Sequence, residues 1–409
     1  MIDIRLARED GARVRAALAR KGAVNAELFD QLIEVDRAWR DGRAAADALR
    51  ARTKLKGRPS PEELEQLSKV KDELRLVEAE LTGIESRRDE LLGAIPNLPE
   101  DGTPDGASDE DAVELRRVGS PPSFSFTPRD HVDLGGFDME RGARLSGSRF
   151  AYRVGSAALL ELSLYRFALE TLVGEGFVPI LPPVLVREQA MFATGFLPAE
   201  QAHLYTLASD DLYLTGTSEV ALAAYHMGEI LEADEVPVHL AGYSTCFRRE
   251  SGAAGRDTRG IFRVHQFDKV EMFVFCAPED APDEHQRLLA LEERIVQELG
   301  LPYRVVDTAA GDLGPSAARK FDIEAWIPSQ ERYREITSCS NTTDYQARRL
   351  QTRLRTDSGL VFPYTLNGTA ATGRFVIAIM ENFQDEKGGV AVPPVLVRYG
   401  APESIPPAH

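Results

Sequence analysis

CFRRESGAAGRDTRGIFRVHQFDKVEMFVF, residues 246–275, decides how this chain is read. Its ends are apolar and alternating, and its middle, residues 251–260, is small, glycine-rich and charged. That pattern predicts two antiparallel strands joined by a long loop. Side chains alternate across a strand, so Arg248 and Glu250 are expected on one face of the first. Arg263, His265, Phe267, Lys269 and Glu271 are expected together on the second. Charged groups are rarely fully buried unless paired with one another or with a ligand, so this face is not ordinary core. A solvated hairpin edge laced by ion pairs accounts for any one of these charges. It does not account for the cluster, which surrounds Phe267 and gains Arg256, Asp257 and Arg259 from the loop. Guanidinium forks suit phosphates, an aromatic face suits a base, and a carboxylate accepts from an amino group. The ligand described is a nucleotide beside a small zwitterion.

The run FRRESGAAGRDTRGIFRVHQFDKVE also resembles motif 2 of the class II aminoacyl-tRNA synthetases, in its seryl-tRNA synthetase form. The resemblance continues through TGTSE (215–219), REITSCSN (334–341) and TLNGTAATGR (365–374). It implies a serine–tRNA ligase that consumes ATP, uses Mg²⁺ and charges tRNA(Ser), with tRNA(Sec) a second candidate acceptor. Arg248 and Arg374 match the catalytic arginines. Arg248, Arg249, Glu250, Val264, Phe267, Glu335, Ile336, Thr337, Ser338 and Arg374 match ATP-binding positions. Glu335 and Ser338 match the Mg²⁺ ligands, a carboxylate and a hydroxyl that suit a hard cation. Thr217, Ser218, Glu219, Glu271 and Thr369 match the serine site. LNGTAATGR is one residue shorter than the commoner form and carries Thr369 where serine is more usual; threonine keeps the hydroxyl. Two other readings stay open: a paralogue serving a specialised biosynthetic or inhibitor-resistance role, and a non-catalytic tRNA-binding relative. The last should lack Arg248, Glu271, Glu335 or Arg374, and all four are present.

With 409 residues the chain has room for two domains. A net charge of −17 excludes a globally basic nucleic-acid binder, so DNA is not an expected partner and any polyanion needs a local basic surface. Cys246, Cys276 and Cys339 lack the paired spacing of a zinc site and are expected as buried free thiols. The first ten residues have no apolar signal core, and no apolar run has the ~18 residues of a membrane span. A cytoplasmic protein is expected.

Residues 1–25 are expected to form a short strand (Ile2, Ile4, Leu6) and a helix running from Asp10 to Gly22. Leu32, Val35, Trp39, Gly42, Ala46, Leu49 and Thr53 then repeat at spacings of three and four. So do Leu67, Val70, Leu74, Val77, Leu81, Ile84, Arg88 and Leu91. Gly57–Pro61 breaks the two seams apart, and Ser60 with Glu63 has capping-box spacing before a helix opened by Pro61. An antiparallel coiled-coil hairpin about 45 Å long follows at 1.5 Å per residue. The first helix collects Arg37, Arg40, Arg43, Arg50, Arg52 and Lys54, candidate contacts to a tRNA backbone.

The expected domains are this arm over 1–100, a Pro/Gly/Asp-rich linker over 101–118, a catalytic domain over 119–401 and a disordered tail over 402–409. The catalytic domain mixes helices with short strands and lacks a Rossmann glycine fingerprint, so its expected fold is α+β on an antiparallel sheet flanked by helices. Its helix at about Ala157–Val173 and the proline-rich GFVPILPPVLV resemble motif 1, which implies a homodimer.

Overall fold

The computed structural model describes residues 1–54, 60–251, 257 and 259–408. The chain divides into two compact units, Met1–Leu98 and Pro99–His409.

The first unit is helical: α1 (Ile4–Glu9), α2 (Gly11–Arg20), α3 (Ala23–Thr53) and α4 (Pro61–Ala94). The expected strand over Ile2–Leu6 is instead the start of α1. Asp3 accepts the N–H of Arg5 and caps the helix, and Ile2 and Ala7 enter the same core as Phe29 and Leu91. Asp10 caps α2 as expected. At α4 the capping box closes both ways: Glu63 N–H donates to Ser60 Oγ at 3.2 Å, and Ser60 N–H donates to Glu63 Oε2 at 2.6 Å. Every position of both heptad seams is buried or half-buried. Between Arg8 (α1), Arg88 (α4) and Arg40 sits the carboxylate of Asp36, buried on α3, at 2.8, 2.8 and 3.3 Å. Burial alone would raise its pKa, but Arg8 and Arg88 outweigh this and hold it below the usual carboxylate range.

The second unit is built on an eight-stranded sheet. Its strands are β1 (Val113–Val118), β2 (Val178–Ile180), β3 (Val238–Phe247), β4 (Gln266–Cys276), β5 (Tyr303–Asp307), β6 (Arg319–Ile327), β7 (Arg332–Asn341) and β8 (Tyr364–Thr372). The spatial order is β1-β5-β6-β7-β8-β4-β3-β2, antiparallel except for the edge pair β2–β3. Helices α5 (Ser156–Gly174), α6 (Ala281–Glu298) and α7 (Gly373–Asn382) pack on it through one large apolar core. All three cysteines are free and buried. Among the described residues no helix is long and apolar enough to cross a membrane.

Three expectations need correction. Residues 113–118 (Val-Glu-Leu-Arg-Arg-Val), assigned to the linker, pair with β5 as the edge strand β1, with a register shift between Glu114 and Arg116. Within the expected disordered tail, Ser404–Ile405 pairs with Val390–Ala391, because Ile405 finds a buried place in the core. The strands of the 246–275 hairpin are also shorter than alternation suggests. β3 ends at Phe247 and β4 begins at Gln266, so Arg248, Glu250, Arg263 and His265 lie beyond the ladder. One further backbone bond, Arg248 N–H to His265 O at 2.9 Å, extends the pairing; then Glu250 turns into the left-handed region at φ 49°. Arg256 lies outside the described residues.

Candidate active site

Two cavities of about 490 and 260 Å³ open on the sheet face above β4, β7 and β8, and Arg248, Lys269, Ser338 and Thr369 line both. The larger is walled by Glu250, Arg263, Val264, Phe267, Glu335, Ile336, Thr337 and Arg374. The smaller is walled by Thr217, Glu219 and Glu271. The sequence motifs therefore converge on one groove.

Arg248 sits where the cavities meet. Its Nε donates to Gly216 O at 3.1 Å, its guanidinium lies 5.5 Å over the Phe267 ring, and among the described residues it has no carboxylate partner. Arg374 enters from the first turn of α7, whose cap is Thr372 Oγ1 accepting the Arg374 N–H at 3.3 Å. Its Nη1 lies 3.4 Å from Glu335 Oε2. Desolvation would raise the Glu335 carboxyl, but Arg374, Lys320 and Arg248 outweigh it and hold the group below its usual range. Gly373 packs closely here: a Cβ would stand 3.3 Å from Glu161 Oε1, on the carboxylate that fixes Arg153 in the cavity wall. Glu250 meets Arg263 at 3.0 Å.

In the smaller cavity Thr217 Oγ1 donates to Glu271 Oε2 at 2.7 Å, and the ammonium of Lys269 contacts the same oxygen. Lys269 and Glu271 share a face of β4, and both are buried. A bulge in β8, pairing Val270 with Ala371 but Glu271 with Thr369, brings the Thr369 side chain level with Glu271. Glu219 Oε1 accepts from Gln346 Nε2 at 2.8 Å and from Asn367 Nδ2 at 2.9 Å. Burial lifts the Glu219 carboxyl to about 7, with Glu271 adding to the rise and Gln346 and Lys269 opposing it.

Folding therefore holds a proton on Glu219 that the unfolded chain releases above its ordinary value of 4.5. Stability contributed by that proton is lost as pH rises from about 4.5 to about 7. Without ligand, Glu219→Gln is expected to be more stable than the parent at pH 8, by up to about 3 kcal/mol at about 1.4 kcal/mol per pKa unit. The gain should vanish near pH 4, and urea melts at both pH values check it. Equal stability at pH 8 would show that Glu219 carries no such penalty.

Not every expected residue reaches the groove. Ser218 Oγ is turned to Gly242 O at 3.4 Å, and the exposed Arg249 stacks 5.6 Å from Tyr205. His265 Nδ1 donates to Arg248 O at 2.8 Å and so orients that arginine's backbone. Arg259 is drawn away to Asp130 at 2.7 Å, and Asp257 to Arg334 at 2.7 Å. Residues without a sequence signal also contribute: Glu200 lines both cavities, and Gln346 and Asn367 cradle Glu219. Asn367 sits inside TLNGTAATGR, so the motif pointed at its neighbourhood.

This sheet, with arginines from the end of β3 and the start of α7 aimed into one groove, is a class II aminoacyl-tRNA synthetase core. Residues 205–383 match the tRNA synthetase class II core domain (G, H, P, S and T), and residues 1–99 match the seryl-tRNA synthetase N-terminal domain. The chain belongs to the seryl-tRNA synthetase family. It is 49% identical to the serine–tRNA ligase of Thermobifida fusca, over 97% of this chain and 96% of that one. It is 50% identical to that of Acidothermus cellulolyticus, over 98% of each. Among solved structures, the seryl-tRNA synthetase of Pyrococcus horikoshii complexed with ATP superposes with a TM-score of 0.95 at 36% identity, covering both chains fully. The cytoplasmic enzyme of Naegleria fowleri in complex with AMP gives 0.90 at 34% identity, over 100% of this chain and 99% of that one.

Proposed function

We propose that this chain joins L-serine to ATP and passes the seryl group to the 3′ end of tRNA(Ser). A serine carboxylate oxygen attacks the α-phosphorus, forming the acyl–phosphate bond as the bond to pyrophosphate breaks. Positioning two anions and stabilising phosphate charge is most of the work. Arg248, at the junction of the cavities, holds the α-phosphate and the attacking carboxylate together, and Arg374 holds the far end of the triphosphate. Phe267 stacks on adenine, and Glu250 accepts from its amino group. The serine ammonium meets Glu219 and Thr217, and its hydroxyl meets Glu271 and Thr369. The tRNA hydroxyl then attacks the seryl carbonyl, and AMP leaves without a dedicated base.

The ionised Glu335 and the Ser338 hydroxyl, together on β7 in the cavity wall, are oxygen donors that suit a hard cation and would hold Mg²⁺. When bound it neutralises phosphate charge.

The observation that supports this reading best is the pair of carboxylates lining the smaller cavity, Glu271 buried and Glu219 half-buried, at the end of an arginine-walled groove. A small hydroxylated ammonium ion satisfies both, and a site built to bond a hydroxyl disfavours alanine strongly. Serine-dependent pyrophosphate exchange, followed by charging of total tRNA, tests it. No exchange with serine overturns the reading.

On the arm, Arg37, Arg43, Arg52 and Lys54 are exposed and form the proposed tRNA surface. Arg40 is engaged with Asp36, and Arg50 with Glu78 at 2.7 Å. The chain is also proposed to act in the cytoplasm as a homodimer. Three free buried thiols suit a reducing compartment. Val178 (56% exposed) on edge strand β2, Leu181 (78%) just after it, and Leu159 (50%) and Leu162 (59%) on α5 offer an apolar edge to a second copy. Sedimentation should give about twice the 45.1 kDa chain mass, and a monomer would remove the dimer.

A further inference from the structure

Beyond Gly368 the two central strands part. β7 and β8 pair at Asn341–Leu366, Ser340–Asn367 and Cys339–Gly368, and then their backbones share no further ladder bond. The parting opens the groove, and it leaves backbone groups of both strands in need of partners. Side chains supply them. Thr337 Oγ1 donates to Thr369 O, and Thr372 Oγ1 donates to Ile336 O at 3.4 Å. The Thr369 N–H donates at 3.0 Å to Oε1 of Glu292, which belongs to α6 and lines neither cavity.

Glu292 is wholly buried, and among the described residues nothing completes hydrogen-bond geometry with its Oε2. Complete burial pushes its carboxyl well above the ordinary range, against the nearby Thr337 hydroxyl, so the group is held neutral. Room for it is made by Gly368. A Cβ there would stand 3.0 Å from Glu292 Oε1, 3.0 Å from Met272 Cε and 3.2 Å from Cys339 Cβ. A buried acid in an apolar core costs stability and does not explain itself as packing. Its 3.0 Å hydrogen bond is to the backbone of the residue whose side chain enters the smaller cavity.

We propose that Glu292 is a positioning residue for amino-acid selection: from beneath the sheet it fixes the Thr369 backbone, and so sets where the Thr369 hydroxyl meets the substrate's hydroxyl. It acts through Thr369 and touches no substrate. This inference rests on the reading of Thr217, Glu271 and Thr369 as the serine subsite.

Pyrophosphate exchange with serine and ATP varied separately tests it. Glu292→Ala strips the Thr369 N–H of its acceptor and is expected to raise the KM for serine about tenfold, the effect of one buried donor left unpaired. The KM for ATP should stay within about twofold, and the preference for serine over threonine should fall. Glu292→Gln keeps an oxygen acceptor in the same place and neutral, and should restore serine KM to within about threefold of the parent. Should Glu292→Ala fail to fold, Glu292→Asp, which retracts the carboxyl by one methylene, is expected to show the same split. Equal rises in both KM values, an unchanged serine KM, or a Gln variant as impaired as Ala would overturn the proposal. Thr217→Val separates the two levels. If it leaves serine KM unchanged, the subsite reading itself fails; if it raises KM while Glu292→Ala does not, only the role of Glu292 fails.

Discussion

Arg248→Ala is expected to lower serine-dependent pyrophosphate exchange by about 10²–10³-fold, the usual cost of removing one preorganised group that stabilises transition-state charge. Folding stability should hardly change. Arg248 forms no ion pair among the described residues, and Glu335, which it helps to keep ionised, retains the larger influences of Arg374 and Lys320. Arg374→Ala is the less clean experiment, because it also takes away the strongest influence keeping Glu335 ionised. Arg248→Lys should recover little. An ammonium is a point charge, whereas a position lining both cavities asks for a planar fork that bridges phosphate and carboxylate. Exchange rates and thermal melts of Arg248→Ala decide the matter. Normal exchange would end the phosphate role assigned to this residue.

What could be read from the chain, and what could not, follows from the range of the interactions. The heptad seams, the Ser60–Glu63 box and the Asp10 cap are local, and each appears where its spacing placed it. The convergence of Arg248, Glu271, Glu335 and Arg374 was legible only because four motifs resemble a known family. The ends of β3 and β4 were misplaced, since alternation runs on through Phe262, Arg263, Val264 and His265 outside the ladder, and no breaker precedes residue 251 after β3 has ended. Ile2–Leu6 alternates over too few residues to separate strand from helix, and the Asp3 cap decides for helix. Asp36 gave no warning of burial. Arg40 is its i,i+4 neighbour on α3, but the two arginines at 2.8 Å come from α1 and α4, and no spacing rule joins Arg8 or Arg88 to it. Gln346 beside Glu219 is illegible for the same reason, since it matters only through a partner distant in sequence, whereas Asn367 is marked in the chain only by the motif that contains it.

Deleting Leu49–Leu76 and closing the gap with a short Gly-Ser turn is expected to abolish tRNA charging while leaving pyrophosphate exchange intact. The cut is physically mild. Arg50 reaches Glu78 at 2.7 Å, so the two helices face each other where the new turn would join them. The base of the arm keeps its apolar core around Leu18, Leu32 and Leu91 and its buried Asp36 cluster. Every residue lining the two cavities belongs to the second unit, so the adenylation chemistry loses no group. The deletion removes Arg52 and Lys54 and spares Arg37 and Arg43, which divides the proposed tRNA surface. A phosphate-contact surface gives salt-dependent binding, its slope falling with each contact removed. The truncated chain should therefore bind tRNA more weakly and with a shallower salt dependence, in addition to failing to charge it. Full charging by the truncated chain would place tRNA recognition elsewhere. Loss of exchange would mean that the outer arm also supports the catalytic unit.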